Sequence, residues 1–341
     1  MFIKHYGRIS MPNKVKQFLE QASLEKVYIG LKNNSISLKD FVDVVLSKQD
    51  CILFGPPGTS KTYYVDKLAE KLGDKVGLFQ IIQFHANYSY DEFIDGIVPD
   101  IDKGGFKYET GVFYNFCQEA QNPQNKEKIC VFVIDEINRA NVTSVFGEVM
   151  NLIENKGVRI MKTAKQRKIF FVPDNVVIVG TMNTADKTLA KLDFALRRRF
   201  RFLPVYPSKY ALHEMIAACG FDVDINISVD DYVDCFEILN SKIRRNNQLG
   251  KEMMIGHVLW TRRTNSLSLY TVRDIGSIFR ESIFPQLESY CGANRDLLGN
   301  LVGTAIRDKL VYGYAISDDE ILNYLSILKN SKAGENNVTS N

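Results

Sequence analysis

A glycine-rich turn at residues 55–62 constrains the fold of this 341-residue chain more than any other stretch. The turn reads GPPGTSKT, and it follows CILF, a short apolar run of the kind that forms a buried strand. After it, YYVDKLAEKLG has apolar residues at helical spacing and ends in a glycine suited to a helix C-cap. A strand, a glycine-rich turn and a helix in this order predict a loop whose backbone N–H groups bind phosphate; an accidental glycine–proline turn is the alternative.

The turn departs at one place from the phosphate-loop pattern G-x-x-x-x-G-K-[ST], because Ser60 stands where the pattern has glycine. Ser60 keeps its backbone N–H, and a left-handed conformation at a non-glycine residue costs about 1–2 kcal/mol, which bound nucleotide and Mg²⁺ could offset. Lys61 supplies a charge for the phosphates, and Thr62 supplies a hydroxyl for the metal. We therefore predict a working nucleotide site. Its predicted nucleotide-binding residues are Gly55, Pro56, Pro57, Gly58, Thr59, Ser60, Lys61 and Thr62.

The composition is ordinary for a globular protein, with 45% hydrophobic and 24% charged residues. The longest apolar runs are far too short to cross a bilayer, and no apolar signal segment follows a charged start, so we expect no membrane association. The six cysteines form no C-x-x-C pair, which favours a reducing, cytoplasmic location. A net charge of +3 is too small to indicate nucleic-acid binding by itself.

A second apolar run, at residues 129–134, ends in two acids, Asp135 and Glu136. An aspartate at the end of a buried strand can hold Mg²⁺ together with Thr62, and an adjacent glutamate can act as general base for an attacking water. Strands that end in two acids by chance are common. Beside a phosphate loop, however, the pair predicts Asp135 and Thr62 as metal ligands and Glu136 as a catalytic residue. The segment VTSVFGEVMNLIE that follows is predicted to form one amphipathic helix.

A third apolar strand, VVIVGTM, precedes Asn183, whose side chain could orient the lytic water or touch the γ-phosphate. The alternative is a turn-forming or capping asparagine. Next along the chain, LAKLDFALRRRF places leucines on one helical face before Arg197, Arg198 and Arg199. The helix macrodipole favours cations at such a helix end in any case. The catalytic alternative is that Arg198 or Arg199 reaches the γ-phosphate of a neighbouring subunit.

Together, GPPGTSKT, VFVIDEINRAN and GTMNTADKTLAKLDFALRRRF resemble the AAA+ motor of the McrB family over residues 45–206. Proteins of that family are the nucleotide-driven subunits of modification-dependent restriction systems, and they work with a McrC-type nuclease subunit. The element M-N-x-x-D-[RK], here Met182, Asn183, Asp186 and Lys187, is the most family-specific piece, and it implies that Asp186 contacts the nucleotide. The resemblance also implies that a serine before the lysine, here Ser60 before Lys61, is a variation that occurs within the family.

The resemblance implies an α/β AAA+ P-loop NTPase fold, in which a parallel five-stranded sheet lies between helices and a C-terminal helical lid follows. The sequence agrees, because strand-like runs alternate with helical patterns up to Pro207 and helical patterns follow it. The strands are expected at 51–54, 77–84, 129–134, 176–181 and 201–205. The domains are expected to be a helical linker region at 1–45, the nucleotide-binding domain at 46–206, the lid at 207–328 and a disordered tail at 329–341.

Capping signals mark two helices. Ser37 is a predicted N-cap in the linker region, and Thr271 with Asp274 forms a predicted capping box in the lid. Arg273 lies in the first turn of that lid helix, where the resemblance implies an arginine that contacts the nucleotide phosphates. A surface arginine without a function is an equally good interpretation.

The resemblance implies a Mg²⁺-dependent NTPase that hydrolyses GTP or ATP, assembles into a homo-oligomeric ring, a hexamer, and drives a McrC-like nuclease on DNA. Because only about 45 residues precede the motor, we expect the DNA target to be recognised elsewhere, by a partner or by another subunit. Glu154 and Lys156 form the one E-x-K triplet and have no partner acid in a nuclease arrangement, so we expect no nuclease activity in this chain.

The segment 156–171 is rich in lysine and arginine, has no acid and is predicted to form a hairpin. It either faces water or contacts DNA phosphates or an acidic partner. Two rival functions also remain open: a MoxR- or dynein-like AAA+ chaperone that remodels proteins, and a non-catalytic nucleotide-binding scaffold, which Ser60 motivates. The M-N-x-x-D-K element weighs against the chaperone. Glu136 and the arginine cluster weigh against the scaffold, because nucleotide binding alone needs neither.

Overall fold

The computed structural model describes residues 35–100, 102, 104–186, 194–262 and 268–335. The chain divides into two compact units. Among the described residues, the first unit contains Ile36–Phe54 and Lys61–Pro204, and the second contains Gly55–Ser60 together with the chain from Val205 onward. The phosphate-loop residues up to Ser60 therefore pack with the second unit, although Lys61 continues directly into a helix of the first.

The strands of the five-stranded sheet alternate with helices along the first unit, as the sequence predicts. The strands are β1 (Cys51–Gly55), β2 (Val76–Gln83), β3 (Asp95–Pro99), β4 (Phe106–Thr110), β5 (Ile129–Asp135), β6 (Met161–Lys162), β7 (Ile169–Phe170), β8 (Val176–Asn183) and β9 (Arg201–Pro204). Within the described ranges, five of them form one sheet in the order β2-β5-β8-β1-β9. The pairs β2–β5, β5–β8 and β1–β9 are parallel, so the predicted parallel five-stranded sheet is confirmed.

Helices follow the sheet strands and bury apolar side chains against them. The helices of the first unit are α1 (Leu38–Leu46), α2 (Lys61–Leu72), α3 (Tyr90–Phe93), α4 (Val112–Ala120), α5 (Val142–Phe146), α6 (Val149–Ile153) and α7 (Phe194–Arg197). Phe93 lies at the centre of the core, with its ring 4.9 Å from that of Phe113 and 4.8 Å from that of Phe146. Ser37 caps α1 by accepting the Asp40 N–H, as predicted. Of the predicted leucine face before the arginines, Leu196 is buried and the rest lies outside the described residues.

The helix predicted over VTSVFGEVMNLIE is wrong in one respect, because it is two helices. The first ends at Phe146 and the second begins at Val149. Gly147 between them has φ 49° and ψ −129°, which no helical residue adopts. A side chain there would also be strained by that positive φ and would approach the ring of Tyr90 to 3.3 Å. Apolar periodicity runs through this break, which explains the wrong prediction.

The basic segment 156–171 does form a hairpin, in which β6 and β7 pair antiparallel. Lys156 does not belong to its exposed face. Its Nζ atom lies 2.5 Å from Asp50 Oδ1 and 2.8 Å from the main-chain oxygen of Val176. Asp50 Oδ1 also accepts the N–H of Ile178 at 2.8 Å, so this ion pair joins the start of β1 to the start of β8. Burial raises the pKa of Asp50, and the Lys156 ammonium opposes that rise.

The second unit is helical, as expected for a lid. Its helices are α8 (Lys209–Ala217), α9 (Val229–Arg245), α10 (Val272–Ile278), α11 (Phe284–Cys291), α12 (Arg295–Val302), α13 (Thr304–Tyr312) and α14 (Asp318–Glu335). Trp260 is fully buried in its core, and its ring packs edge-on at 5.2–5.5 Å from those of Tyr232, Phe236 and Phe279. The predicted capping box of Thr271 and Asp274 is present at the start of α10.

The end of the lid differs from the sequence prediction. Helix α14 continues to Glu335, so the prediction of a disordered tail from residue 329 is wrong for residues 329–335. Leu328 is buried and the Lys329 ammonium lies 2.7 Å from Asp231, and both contacts extend the helix beyond its apolar pattern. Residues 336–341 and 1–34 lie outside the described residues. In the part of the chain that the structure describes, no helix combines the length and the apolar character that a membrane span needs.

Candidate functional site

The candidate site lies where the sheet strands of the first unit end. Parallel strands place their carboxyl ends at one edge, which is where ligands bind in open α/β sheets. At this edge β5 ends at Asp135, β8 ends at Asn183, and α2 begins at Lys61, six residues after β1. Ile134 pairs with Gly180 in the β5–β8 ladder, so the next residues, Asp135 and Thr181, come side by side.

Thr181 connects the two acids and was missed by the sequence reasoning. Its Oγ1 donates a hydrogen bond to Asp135 Oδ1 and accepts the N–H of Glu136 at 3.1 Å. These bonds fix the rotamer of one carboxylate and the backbone of the next residue. A hydroxyl in the otherwise apolar strand VVIVGTM was the available signal, but its meaning depends on a β5–β8 register that the sequence does not contain.

Glu136 occupies a strained backbone position. Its φ of 52° and ψ of 45° are left-handed, which is uncommon for a residue with a side chain and concentrates at functional sites. Burial raises the pKa of its carboxyl group, and the guanidinium of Arg139, with which it forms an ion pair, opposes that rise. A raised pKa makes a carboxylate a better proton acceptor near neutral pH. This environment suits the predicted general base.

Lys61 is buried close to both acids. Only 7% of its surface is exposed, and burial lowers its pKa to about 7, while the charges of Asp135 and Glu136 act in the opposite direction. The adjacent Thr62 is exposed in the first turn of α2. The structure therefore brings together Lys61, Asp135 and Glu136, as the sequence predicted.

Ser60 has a left-handed backbone conformation, in which a serine is unexpected. Its φ is 69°, in the left-handed region that the phosphate-loop pattern reserves for glycine, and its side chain is buried. Gly58, two residues earlier, has φ 73°. Ser60 Oγ lies 2.8 Å from Nε2 of His257, a buried residue of the second unit. Sequence reasoning missed His257, because 197 residues separate the partners.

Other predicted residues lie at or beyond the strand ends. Asn183 ends β8, and its main-chain oxygen accepts the amide of Asn138, a buried residue of the turn after Glu136 that was not predicted. Asp186 is exposed beyond β8, and Arg273 is exposed in the first turn of α10 in the second unit. Nucleotide contact by Asp186 and by Arg273 stays a prediction.

The arginine cluster lies at the opposite edge of the sheet. Arg198 and Arg199 precede β9, whose first residue, Arg201, pairs with the first residue of β1. The phosphate loop follows the other end of β1. The two arginines share a partner, since Nε of each lies 3.2–3.3 Å from Glu154 Oε1. They differ in burial, because 66% of the Arg198 side chain is exposed but only 3% of the Arg199 side chain.

Comparisons with known proteins indicate the family of the chain. A family model described as "AAA domain (dynein-related subfamily)" matches residues 50–200. The EcoKMcrB subunit of a type IV methyl-directed restriction enzyme from Escherichia coli (strain K12) is 37% identical over 266 residues, which cover 71% of this chain and 54% of that protein. The chain is a McrB-like AAA+ protein.

Two further comparisons give weaker matches. Component YdiS of the type II restriction enzyme BsuMI from Bacillus subtilis (strain 168) is 28% identical over 197 residues, 47% of this chain and 57% of that protein. This McrB-like protein thus spans about half the length of the curated relatives it matches. A crystal structure of a Cytophaga hutchinsonii protein is 17% identical, and the match covers 92% of this chain and 85% of the chain in that crystal structure. Its TM-score of 0.38 is too low to support an argument.

The donor set of this McrB-like protein fits Mg²⁺ and a nucleotide, as its family implies. Mg²⁺ prefers oxygen ligands and usually takes one or two from the protein, with waters and phosphate oxygens completing its shell. Asp135 and Thr62 supply a carboxylate and a hydroxyl at the carboxyl edge. Lys61 supplies a buried amino group, and phosphates would stabilise its charged form. Among the described residues, no group of three or more His, Cys, Asp or Glu side chains forms a metal cluster.

The lowered pKa of Lys61 predicts a pH-dependent affinity for nucleotide. In the free protein Lys61 loses its proton above pH 7, and phosphate binding requires the charged form, so binding takes up a proton. Affinity should fall about tenfold between about pH 8 and about pH 9, where nucleotide phosphates are already ionised. Equilibrium titration with a fluorescent nucleotide measures this change.

Lys61→Arg is the matched control, because its guanidinium stays protonated throughout this range. Its affinity should change less than about twofold over the same interval. An equal loss of affinity in the wild type and in Lys61→Arg would contradict the assignment to Lys61.

Proposed function

We propose that this chain is the NTP-hydrolysing motor subunit of a McrBC-like restriction system. It would hydrolyse GTP or ATP with Mg²⁺ and drive a separate McrC-like nuclease on DNA. The observation that carries the proposal is the burial of Lys61 beside Asp135 and Glu136, at the sheet edge where the phosphate loop begins its helix. The 37% identity with the EcoKMcrB subunit supports the choice of a restriction system.

The residues divide the hydrolysis reaction among them. The backbone N–H groups of the loop and the start of α2 bind the phosphates, and Lys61 neutralises their charge. Thr62 and Asp135 would hold Mg²⁺, which stabilises negative charge on the phosphate oxygens. Glu136 accepts the proton of the attacking water, and Asn183 orients that water. Thr181 keeps Asp135 and Glu136 in register through its two hydrogen bonds.

The purine base of the nucleotide, guanine or adenine, is chosen by contacts outside the phosphate loop. Phosphate loops bind the polyphosphate and do not contact the purine, so the site residues do not choose between GTP and ATP. The resemblance to McrB favours GTP. Measuring the turnover of both nucleotides by the purified chain decides between them.

A different observation distinguishes each of the two rival functions from the restriction motor. A non-catalytic scaffold needs no carboxylate at position 136. Nucleotide binding alone does not explain the strained backbone of Glu136 or the raised pKa of its carboxyl group. A protein-remodelling chaperone would use the same nucleotide site. Stimulation of hydrolysis by a McrC-like subunit favours the restriction motor, whereas stimulation by unfolded protein favours the chaperone.

Two variants separate nucleotide binding from the chemical step. Lys61→Ala should abolish nucleotide binding, because it removes a charge that stabilises the bound ground state, whereas Glu136→Gln should bind normally and stop turnover. Equilibrium binding and steady-state hydrolysis should be measured on both variants with GTP and with ATP. A Glu136→Gln protein that hydrolyses at the wild-type rate would show that Glu136 is not the base.

Arg198 is the better candidate for a residue that acts on a neighbouring subunit. It lies at the sheet edge opposite its own phosphate loop, which favours a role at the nucleotide of a neighbouring subunit. Its exposed guanidinium is free to reorient away from Glu154, whereas that of Arg199 is buried. The nucleotide would then lie between subunits of a homo-oligomeric ring, which the resemblance to McrB suggests is a hexamer.

This arrangement predicts complementation between inactive subunits. Arg198→Ala should lower turnover by about 10³-fold, the lower end of the range for an arginine supplied by a neighbour. Mixing it with Lys61→Ala should restore part of the activity, because a mixed interface combines an intact loop with an intact arginine. Arg197→Ala, which removes an exposed neighbouring arginine, is the control and should retain most activity. Constant specific activity on dilution, with a monomer in light scattering, would contradict a role between subunits.

A further inference from the structure

The hydrogen bond between Ser60 and His257 lies inside the second unit and is fully enclosed. Ser60 is 6% exposed and His257 is 3% exposed. The main-chain N–H of Ser208 points to Nδ1 of His257 at 3.3 Å, so Nδ1 is the acceptor nitrogen. In the neutral imidazole the other nitrogen, Nε2, then carries the proton and donates it to Ser60 Oγ, 2.8 Å away. The partners of the ring thus fix its tautomer.

His257 is held against the loop by its own backbone neighbours. The N–H of Gly256 donates to the main-chain oxygen of Pro57 at 3.1 Å, and the N–H of Val258 donates to that of Gly58 at 3.0 Å. A Cβ atom at Gly256 would overlap the main chain of Gly58, so glycine is required for this close approach. The residues on either side of His257 therefore both hydrogen-bond the main chain of the phosphate loop.

We propose that His257 is a positioning residue of the nucleotide site, which holds Ser60 in the left-handed conformation that the loop otherwise obtains from glycine. This inference rests on the proposed nucleotide-binding function. A serine released from His257 would relax toward negative φ, and its N–H would leave the direction in which the loop presents its donors to phosphate. One side-chain contact within the second unit thereby sets the backbone conformation of Ser60.

A double-mutant cycle tests this role by combining His257→Ala with either serine or glycine at position 60. In the wild-type background, His257→Ala should weaken binding of a fluorescent GTP or ATP analogue about 5- to 10-fold, the range expected for one buried hydrogen bond. His257→Gln, whose amide can donate in place of Nε2–H, should recover most of that affinity. In a Ser60→Gly background, where φ 69° is freely accessible, His257→Ala should change affinity less than about twofold.

Two further variants separate this role from a general effect on folding. Ser60→Ala keeps the Cβ atom that disfavours the left-handed conformation but removes the hydroxyl that bonds His257. It should therefore lose as much affinity as His257→Ala, and the two losses should not add. It serves in place of His257→Ala if that protein does not fold. His213→Ala removes a half-exposed histidine of the same unit and should bind like the wild type.

The outcomes are distinguishable. Equal loss from His257→Ala in the serine and glycine backgrounds would overturn the inference, because His257 would then act through the fold and not through Ser60. Wild-type affinity in both His257→Ala and Ser60→Ala would overturn it as well. A wild-type chain that binds neither nucleotide would instead overturn the proposed function, and this inference with it.

Discussion

The parallel register between β5 and β8 is the constraint on which the site depends. It places Thr181 beside Asp135, and the threonine hydroxyl then bonds both the Asp135 carboxylate and the Glu136 backbone. A slip of one residue would turn Thr181 to the other face of the sheet and remove both bonds. Both strands are buried, so a slip would also break the close packing of their apolar side chains. The chemistry at the edge is therefore held by apolar packing within the sheet.

The two edges of this sheet carry different charge arrangements. At the carboxyl edge, Lys61 is buried near the two acids Asp135 and Glu136, so groups of both charges lie close together. At the amino edge, Asp50 and Lys156 satisfy each other and the backbone of β8. Removing one member of such a buried pair is costly, since it leaves an uncompensated charge. The first edge is thus suited to binding, and the second to fixing the strand order.

Local patterns predicted most of the fold. Apolar runs located the five sheet strands, and the capping signals at Ser37 and Thr271 located the starts of two helices. The phosphate loop and the acids after β5 were also found, because the chemistry of each lies within a few consecutive residues. The break at Gly147 was missed, since one glycine can be absorbed into an amphipathic pattern.

Contacts between distant residues could not be predicted from the sequence. Thr181 and His257 gain their importance from partners 45 and 197 residues away, and nothing in their own segments indicates those partners. The difference between Arg198 and Arg199 has the same origin. Both follow one short helix, but successive residues leave its end in different directions, so one is exposed and its neighbour is buried.

Amide hydrogen exchange, measured on the chain with and without Mg²⁺ and nucleotide, tests most directly whether the carboxyl edge is the nucleotide site. Exchange should slow at the loop from Gly58 to Thr62, at the turn from Glu136 to Arg139 and at the end of β8. It should be unchanged at Ile178, whose amide bonds Asp50 at the opposite edge. Slower exchange at the amino edge with none at the loop, or no change at either edge under saturating nucleotide, would contradict this location.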